Sequence, residues 1–176
     1  MTAELRWDHP VRDIPESGMA LERQATAEER AGLARALDLM ACDALSAEYA
    51  VKPGVDGRYR VSGRLRADVV QACVVTLEPV ASTLEEEFDV TFWPEERMPV
   101  PEGGAVDLDD EPEPEPIVGG QLAVGRVVFE CLAAALDPFP RAPDAALDRH
   151  EAAPQSSGAG APSSPFAVLA KIRPKA

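Results

Sequence analysis

Residues 59–80 read YRVSGRLRADVVQACVVTLEPV, and the alternation inside them decides the fold. Tyr59, Val61, Leu65 and Val69 fall on one side of an extended chain; Arg60, Arg64 and Arg66 fall on the other, with Arg58 just ahead of them. That period of two belongs to a strand buried on one face and wet on the other. The spacing predicts a strand that ends near Leu77, where Glu78 and Pro79 make a turn. On the upstream side, KPGVDGR (52–58) supplies turn residues, with Asp56-Gly57 the strongest hairpin dipeptide in the chain. Before it, ALSAEYAVK (44–52) alternates again, with Leu45, Ala47, Tyr49 and Val51 on one side. Downstream, VASTLEEEFDVTFW (80–93) places Leu84, Phe88, Val90 and Phe92 together, interrupted by Glu86. Connections this short join antiparallel neighbours, so the three segments predict a meander.

Helices flank this meander. In TAEERAGLARALDLM (26–40), Thr26 and Glu29 stand at the spacing of a reciprocal N-terminal cap, and Leu33, Leu37 and Met40 share a face. This predicts a helix over 27–40. A second is expected in QLAVGRVVFECLAAAL (121–136), where Val124, Val127, Val128, Cys131, Leu132 and Ala135 form an apolar stripe. Arg126 precedes Glu130 by one helical turn, and Asp137-Pro138 ends the pattern. A short edge strand is expected around residues 5–11. The fold class is therefore α+β: an antiparallel meander packed with two main helices.

Charge divides the chain further. The net charge of −14 is unevenly held: residues 85–116 carry thirteen acidic side chains and only Arg97, while residues 1–84 stand at −3 and residues 117–176 at +1. With six prolines between 94 and 116, that stretch has too little apolar surface to offset its ordering entropy and is expected to be a mobile loop. The expected organisation is a single domain over 1–141, a flexible linker over 142–165 and a basic amphipathic segment over 166–176. There is no basic-then-apolar leader at the N-terminus and no apolar run of membrane-spanning length. Cys42, Cys73 and Cys131 are odd in number and far apart, which fits a reducing, cytoplasmic compartment better than a disulfide framework.

The candidate contacts are basic. Same-face strand neighbours stand about 6.6 Å apart, so Arg58, Arg60, Arg64 and Arg66 form a row able to follow a phosphate backbone. Arg141, Lys171 and Arg173 add positive charge downstream. The competing reading has Glu85, Glu87 and Asp89 on one face of the next strand, positioned to pair across with these arginines. Base stacking wants aromatic platforms, and only Trp7, Tyr49, Tyr59, Phe92 and Trp93 are at hand. Cys73 is followed by Val-Val-Thr where a chelating pair would need a second thiolate, so it reads as apolar filling rather than a metal ligand. His9 and His150 stand in expected terminal or linker segments. No nucleophile elbow, phosphate loop, zinc-peptidase helix or dinucleotide fingerprint occurs, so neither an enzyme nor a cofactor is expected.

Four phrases together resemble one family. GRLRADVVQACVVTLEPV, the acidic proline-rich loop, EPEPIVGGQLAVGRVVFECLAAALDPFPR and the terminal SPFAVLAKIR are similar to the YceD family, the large ribosomal RNA subunit accumulation proteins, in its alphaproteobacterial form. Some members carry a second cysteine where Thr76 stands; Glu130 matches the family's acidic residue in its helix. The resemblance implies a non-enzymatic role in accumulation of 23S ribosomal RNA and assembly of the large subunit. Two modes of action remain open. In one the protein grips RNA or an assembly intermediate through its arginines and basic tail; in the other it is an adaptor whose acidic loop holds a basic ribosomal protein.

Overall fold

The computed structural model describes residues 5–98 and 113–145. Its elements run β1 (His9–Pro10), β2 (Met19–Gln24), α1 (Ala27–Ala36), β3 (Ala41–Pro53), β4 (Tyr59–Ala72), β5 (Pro79–Pro94), β6 (Glu115–Ile117), β7 (Gln121–Leu122) and α2 (Val124–Ala135). Five strands form one sheet in the order β2-β3-β4-β5-β6, antiparallel except for the β5–β6 pair; β1 and β7 make a separate two-stranded pair. The α+β class and the β3-β4-β5 meander are as the alternation predicts.

The β3–β4 hairpin closes at the expected dipeptide. Asp56 and Gly57 both take positive φ (60° and 74°), and the Arg58 N–H donates to the Val55 carbonyl. Two positive φ values give a turn whose twist suits paired strands. From there Val51, Val61 and Val90 line up across three strands, as do Ala47, Leu65 and Glu86. One such row needs a glycine. Gly63 lies between Tyr49 and Phe88, whose rings meet across it with centroids 6.4 Å apart. A Cβ on Gly63 would stand 2.5 Å from the Tyr49 Cβ and 2.3 Å from the Glu48 carbonyl oxygen, so no larger residue fits unmoved.

The core face is closed by α1 against β3, by α2 against β4 and β5, and by Leu5 and Trp7 of the N-terminal segment. Leu33 of α1 and Leu132 of α2 are wholly buried, in one continuous cluster with Val51, Val61, Leu65 and Phe92. Thr26 caps α1 reciprocally: its hydroxyl accepts from the Glu29 N–H, and the Glu29 carboxylate accepts from the Thr26 N–H at 2.8 Å.

Several expectations need correction. Helix α1 stops at Ala36, four residues early. The Leu39 N–H donates to the Ala34 carbonyl around Asp38, which sits at φ 53°. This left-handed C-terminal closure turns the chain into β3. Met40 therefore leaves the helix and is exposed. Strand β4 ends at Ala72 rather than near Leu77, because residues 73–78 fold into a turn with Leu77 at φ 61°. Strand β2 is not foreseen by the sequence, since this edge strand is only half buried and its alternation is faint. Pro94 still belongs to β5, Glu95–Arg97 form a helical turn and Glu115 begins β6; the centre of the stretch expected to be a mobile loop over 94–116, residues 99–112, lies outside the described residues. The linker and basic segment also lie outside them from residue 146 onward, whereas Ala142 to Ala145 close the unit that precedes. Among the described residues no helix is long and apolar enough to cross a membrane.

Candidate functional site

The arginines of β4 stand on the sheet face away from the helices, and each meets a carboxylate. Arg60 holds Asp89 through two hydrogen bonds, with Nε to Oδ1 at 2.8 Å. Arg64 Nη2 donates to Glu48 Oε2 at 3.0 Å, and Arg66 Nη1 to Glu85 Oε1 at 2.7 Å. Hydrogen bonding from Arg60 holds the Asp89 carboxyl below its usual range. Two of the three partners are the β5 carboxylates expected from alternation. The third, Glu48, comes from β3. Counting outward from a two-residue Asp56-Gly57 turn would set Tyr49 opposite Arg64; the loop instead closes by the Gly54 N–H donating to the Arg58 carbonyl around residues 55–57, and that extra residue brings Glu48 opposite Arg64.

Cross-strand rows fill out this face. Glu22, Glu48, Arg64 and Glu87 form one row; Gln24, Ser46, Arg66 and Glu85 the next. Across β2 to β5 the face presents six carboxylates (Glu22, Glu48, Asp68, Glu85, Glu87, Asp89) against four cations (Lys52, Arg60, Arg64, Arg66). The row of positives thus becomes part of a mixed, slightly acidic surface. A shallow trough crosses it where Ala20, Ala50 and Ser62 keep their side chains short.

Arg58 departs from the row. It precedes β4, lies half buried and stacks over the Trp93 ring at 3.8 Å, with its Nε covered and without a hydrogen-bond partner among the described residues. A cation over an indole face is held electrostatically, so this arginine braces the hairpin end against β5. Trp7, Tyr49 and Phe92 are buried in the core and offer bases no platform. Arg141 is exposed, past the end of α2; Lys171 and Arg173 lie outside the described residues.

Two polar features are not legible in the sequence. His9 is buried, with Nε2 2.8 Å from the Tyr49 hydroxyl, although its position suggests a terminal segment. Burial, then the charge of Arg23, push its pKa below the ordinary imidazole value, and burial pushes Tyr49 upward. Cys73 is fully covered but stands outside the main apolar cluster. Its Sγ accepts from the N–H groups of Val75, Thr76 and Ala142 at 3.4–3.5 Å. The Thr76 side chain, then the Ala142 and Thr76 backbone donors, bring the thiol down to about 6 against the opposing effect of burial. Cys73 is therefore a hydrogen-bonded sulfur that ties the 73–78 turn to the segment after α2, which apolar filling does not describe. Cysteines 42 and 131 are pushed the other way by burial. Among the described residues no group of three or more His, Cys, Asp or Glu side chains is placed to hold a metal ion.

Residues 61–173 match the family described as large ribosomal RNA subunit accumulation protein YceD. No curated protein matches, and no solved structure does.

Proposed function

The chain belongs to the YceD family of large ribosomal RNA subunit accumulation proteins, and from that premise we propose that it supports accumulation of large-subunit ribosomal RNA as a non-enzymatic adaptor for a basic protein of the assembling particle. One observation carries the adaptor reading: Arg60, Arg64 and Arg66 are each engaged by a carboxylate, on a face where carboxylates outnumber cations six to four. Binding to a polyanion would place phosphates beside Glu22, Glu48, Glu85 and Glu87, and like charges at that range repel. A basic protein surface meets the same array favourably. The acidic stretch of residues 85–116 extends the same chemistry along the sequence.

A second reading keeps RNA as the direct partner, in 23S ribosomal RNA or a large-subunit assembly intermediate. It draws on the exposure of the pairs: the Arg64 and Arg66 side chains are 70% and 62% exposed. Exposed ion pairs contribute only about 0.2–1 kcal/mol, so phosphate could displace a carboxylate.

The double substitution Arg64→Glu and Arg66→Glu separates the two. It removes two exposed pairs and sets like charges opposite each other, a cost of about 0.2–1 kcal/mol per pair; the fold should survive. Under the adaptor reading, crosslinking in cells recovers ribosomal protein rather than RNA as the main adduct, and the double variant keeps or strengthens it. A dominant RNA adduct that disappears in the variant would overturn that reading, most clearly if the salt slope of RNA binding became shallower by about 0.7 for each phosphate no longer held.

A further inference from the structure

The longest strand of the sheet is open along most of one side. On its inner edge β5 pairs with β4 without a bulge from Ala72↔Pro79 to Tyr59↔Phe92. On its outer edge β6 takes only Phe92, Trp93 and Pro94. From residue 79 to residue 91 that edge has no strand partner among the described residues. An open edge is a row of N–H and C=O groups ready to template another chain. Proteins blunt such edges with bulges, prolines, short length or charge. Residues 80–91, VASTLEEEFDVT, contain no proline or glycine, and the register there is regular. The one device present is negative charge, in Glu85, Glu86, Glu87 and Asp89.

This charge is selective, and it selects by sign. Two copies of the edge laid together would bring their acidic runs face to face, so the charge refuses a second copy of the chain. It favours a strand of opposite sign. Alternation then specifies that strand more closely. Every second side chain of an added strand would stand beside Glu85, Glu87 and Asp89 on the outer face. The residues between them would stand beside half-buried Leu84 and Val90 and buried Phe88 on the face that α2 covers. Glu86, which interrupts the apolar face, and Glu87 have no ion pair with any described residue. The complementary chain is extended, with lysine or arginine alternating with apolar residues.

We propose that the outer edge of β5 over residues 79–91 is a docking site for an extended basic segment of a partner protein, which joins the sheet as an added strand. The proposal rests on the adaptor reading and gives it a surface. Main-chain hydrogen bonds supply the affinity in this mode, and the alternate side chains supply specificity.

The test uses the full chain, isotope-labelled, and a short capped peptide of alternating Lys and Val. Titration should shift the amide resonances of residues 80–91 and protect them from hydrogen exchange. A twin peptide, N-methylated at alternate residues so that it keeps its charge but loses strand donors, should bind at least about tenfold more weakly, the weight of roughly one good hydrogen bond. Glu86→Lys with Glu87→Lys, both at exposed positions, should weaken the unmodified peptide by a similar factor. Equal affinity for the two peptides, or shifts that map elsewhere, would overturn the edge as the site while leaving a basic partner in place. Absence of binding by either peptide, with single-stranded RNA bound instead, would overturn the adaptor reading itself. Concentration-dependent dimerisation through the same amides would overturn the charge argument.

Discussion

Replacing Gly63 with alanine separates local propensity from packing, because the two forecast opposite signs. On propensity, glycine weakens a strand interior, and Gly→Ala at a compatible site stabilises by about 0.4–1 kcal/mol through the unfolded chain. Gly63 has no left-handed φ that would forbid a side chain. Packing forecasts the reverse. The new methyl would stand 2.3 Å from the Glu48 carbonyl oxygen, 2.5 Å from the Tyr49 Cβ and 2.7 Å from the Tyr49 Cα, most of it backbone that no rotamer change can move. Strands β3 and β4 would have to part by about 0.7 Å to bring the worst approach to 3.0 Å. Overpacking of this kind costs about 1–3 kcal/mol. Separating Tyr49 from Phe88 forfeits part of an aromatic pairing of about 0.5–1.5 kcal/mol. After the opposing entropy gain the net destabilisation is about 1–3 kcal/mol, or roughly 3–10 °C in Tm for a chain of this size. Urea unfolding followed by intrinsic fluorescence reads it directly. Ser62→Ala, next door on the open face, serves as the control and should stay within about 0.5 kcal/mol of the parent. A Gly63→Ala protein as stable as the parent, or more stable, would refute the account of the Tyr49–Gly63–Phe88 row.

Three further outcomes follow from the geometry. Thr26→Ala should cost about 1 kcal/mol, since it removes the hydroxyl half of the α1 cap; equal midpoints in urea would mean that this helix start is held by packing alone. Tyr49→Phe should cost about 1–2 kcal/mol by depriving buried His9 of its partner, measured in the same way, and an unchanged stability would show that water reaches His9. For Cys73 the folded thiol lies near 6, below its ordinary 9.0, so the unfolded chain binds the extra proton between those values. The stability this sulfur adds is complete above about pH 9 and is lost as pH falls toward 6. The gap between the parent and Cys73→Ala should therefore narrow over that window, and thiolate absorbance in the native parent should titrate near pH 6; a gap independent of pH would refute the hydrogen-bonded sulfur.

The sequence by itself determined the meander, both helices and the capped start of α1, because each depends on neighbours near in the chain: a two-residue alternation, a turn dipeptide, a three-residue cap spacing. It also contained the competing account of the arginine row, since period-two patterning on β4 and β5 already set opposite charges on one face. What it withheld were relations between distant residues. The stop of α1 at Ala36 depends on Asp38 accepting a left-handed φ so that Met40 can pair with Val70, and helical periodicity alone runs straight on to Met40. His9 reads as a terminal polar residue until Tyr49, forty positions away, is brought to its ring. Cys73 looks like a small apolar side chain until the segment after α2 delivers the Ala142 N–H to its sulfur. The open edge of β5 is a property of strand order, which no residue records: β6 pairs with only the last three residues of β5, and the rest of that edge, with its acidic run, has no strand partner among the described residues. Local patterning sets which face of a strand is wet, but which edge of it remains free depends on where the rest of the chain goes.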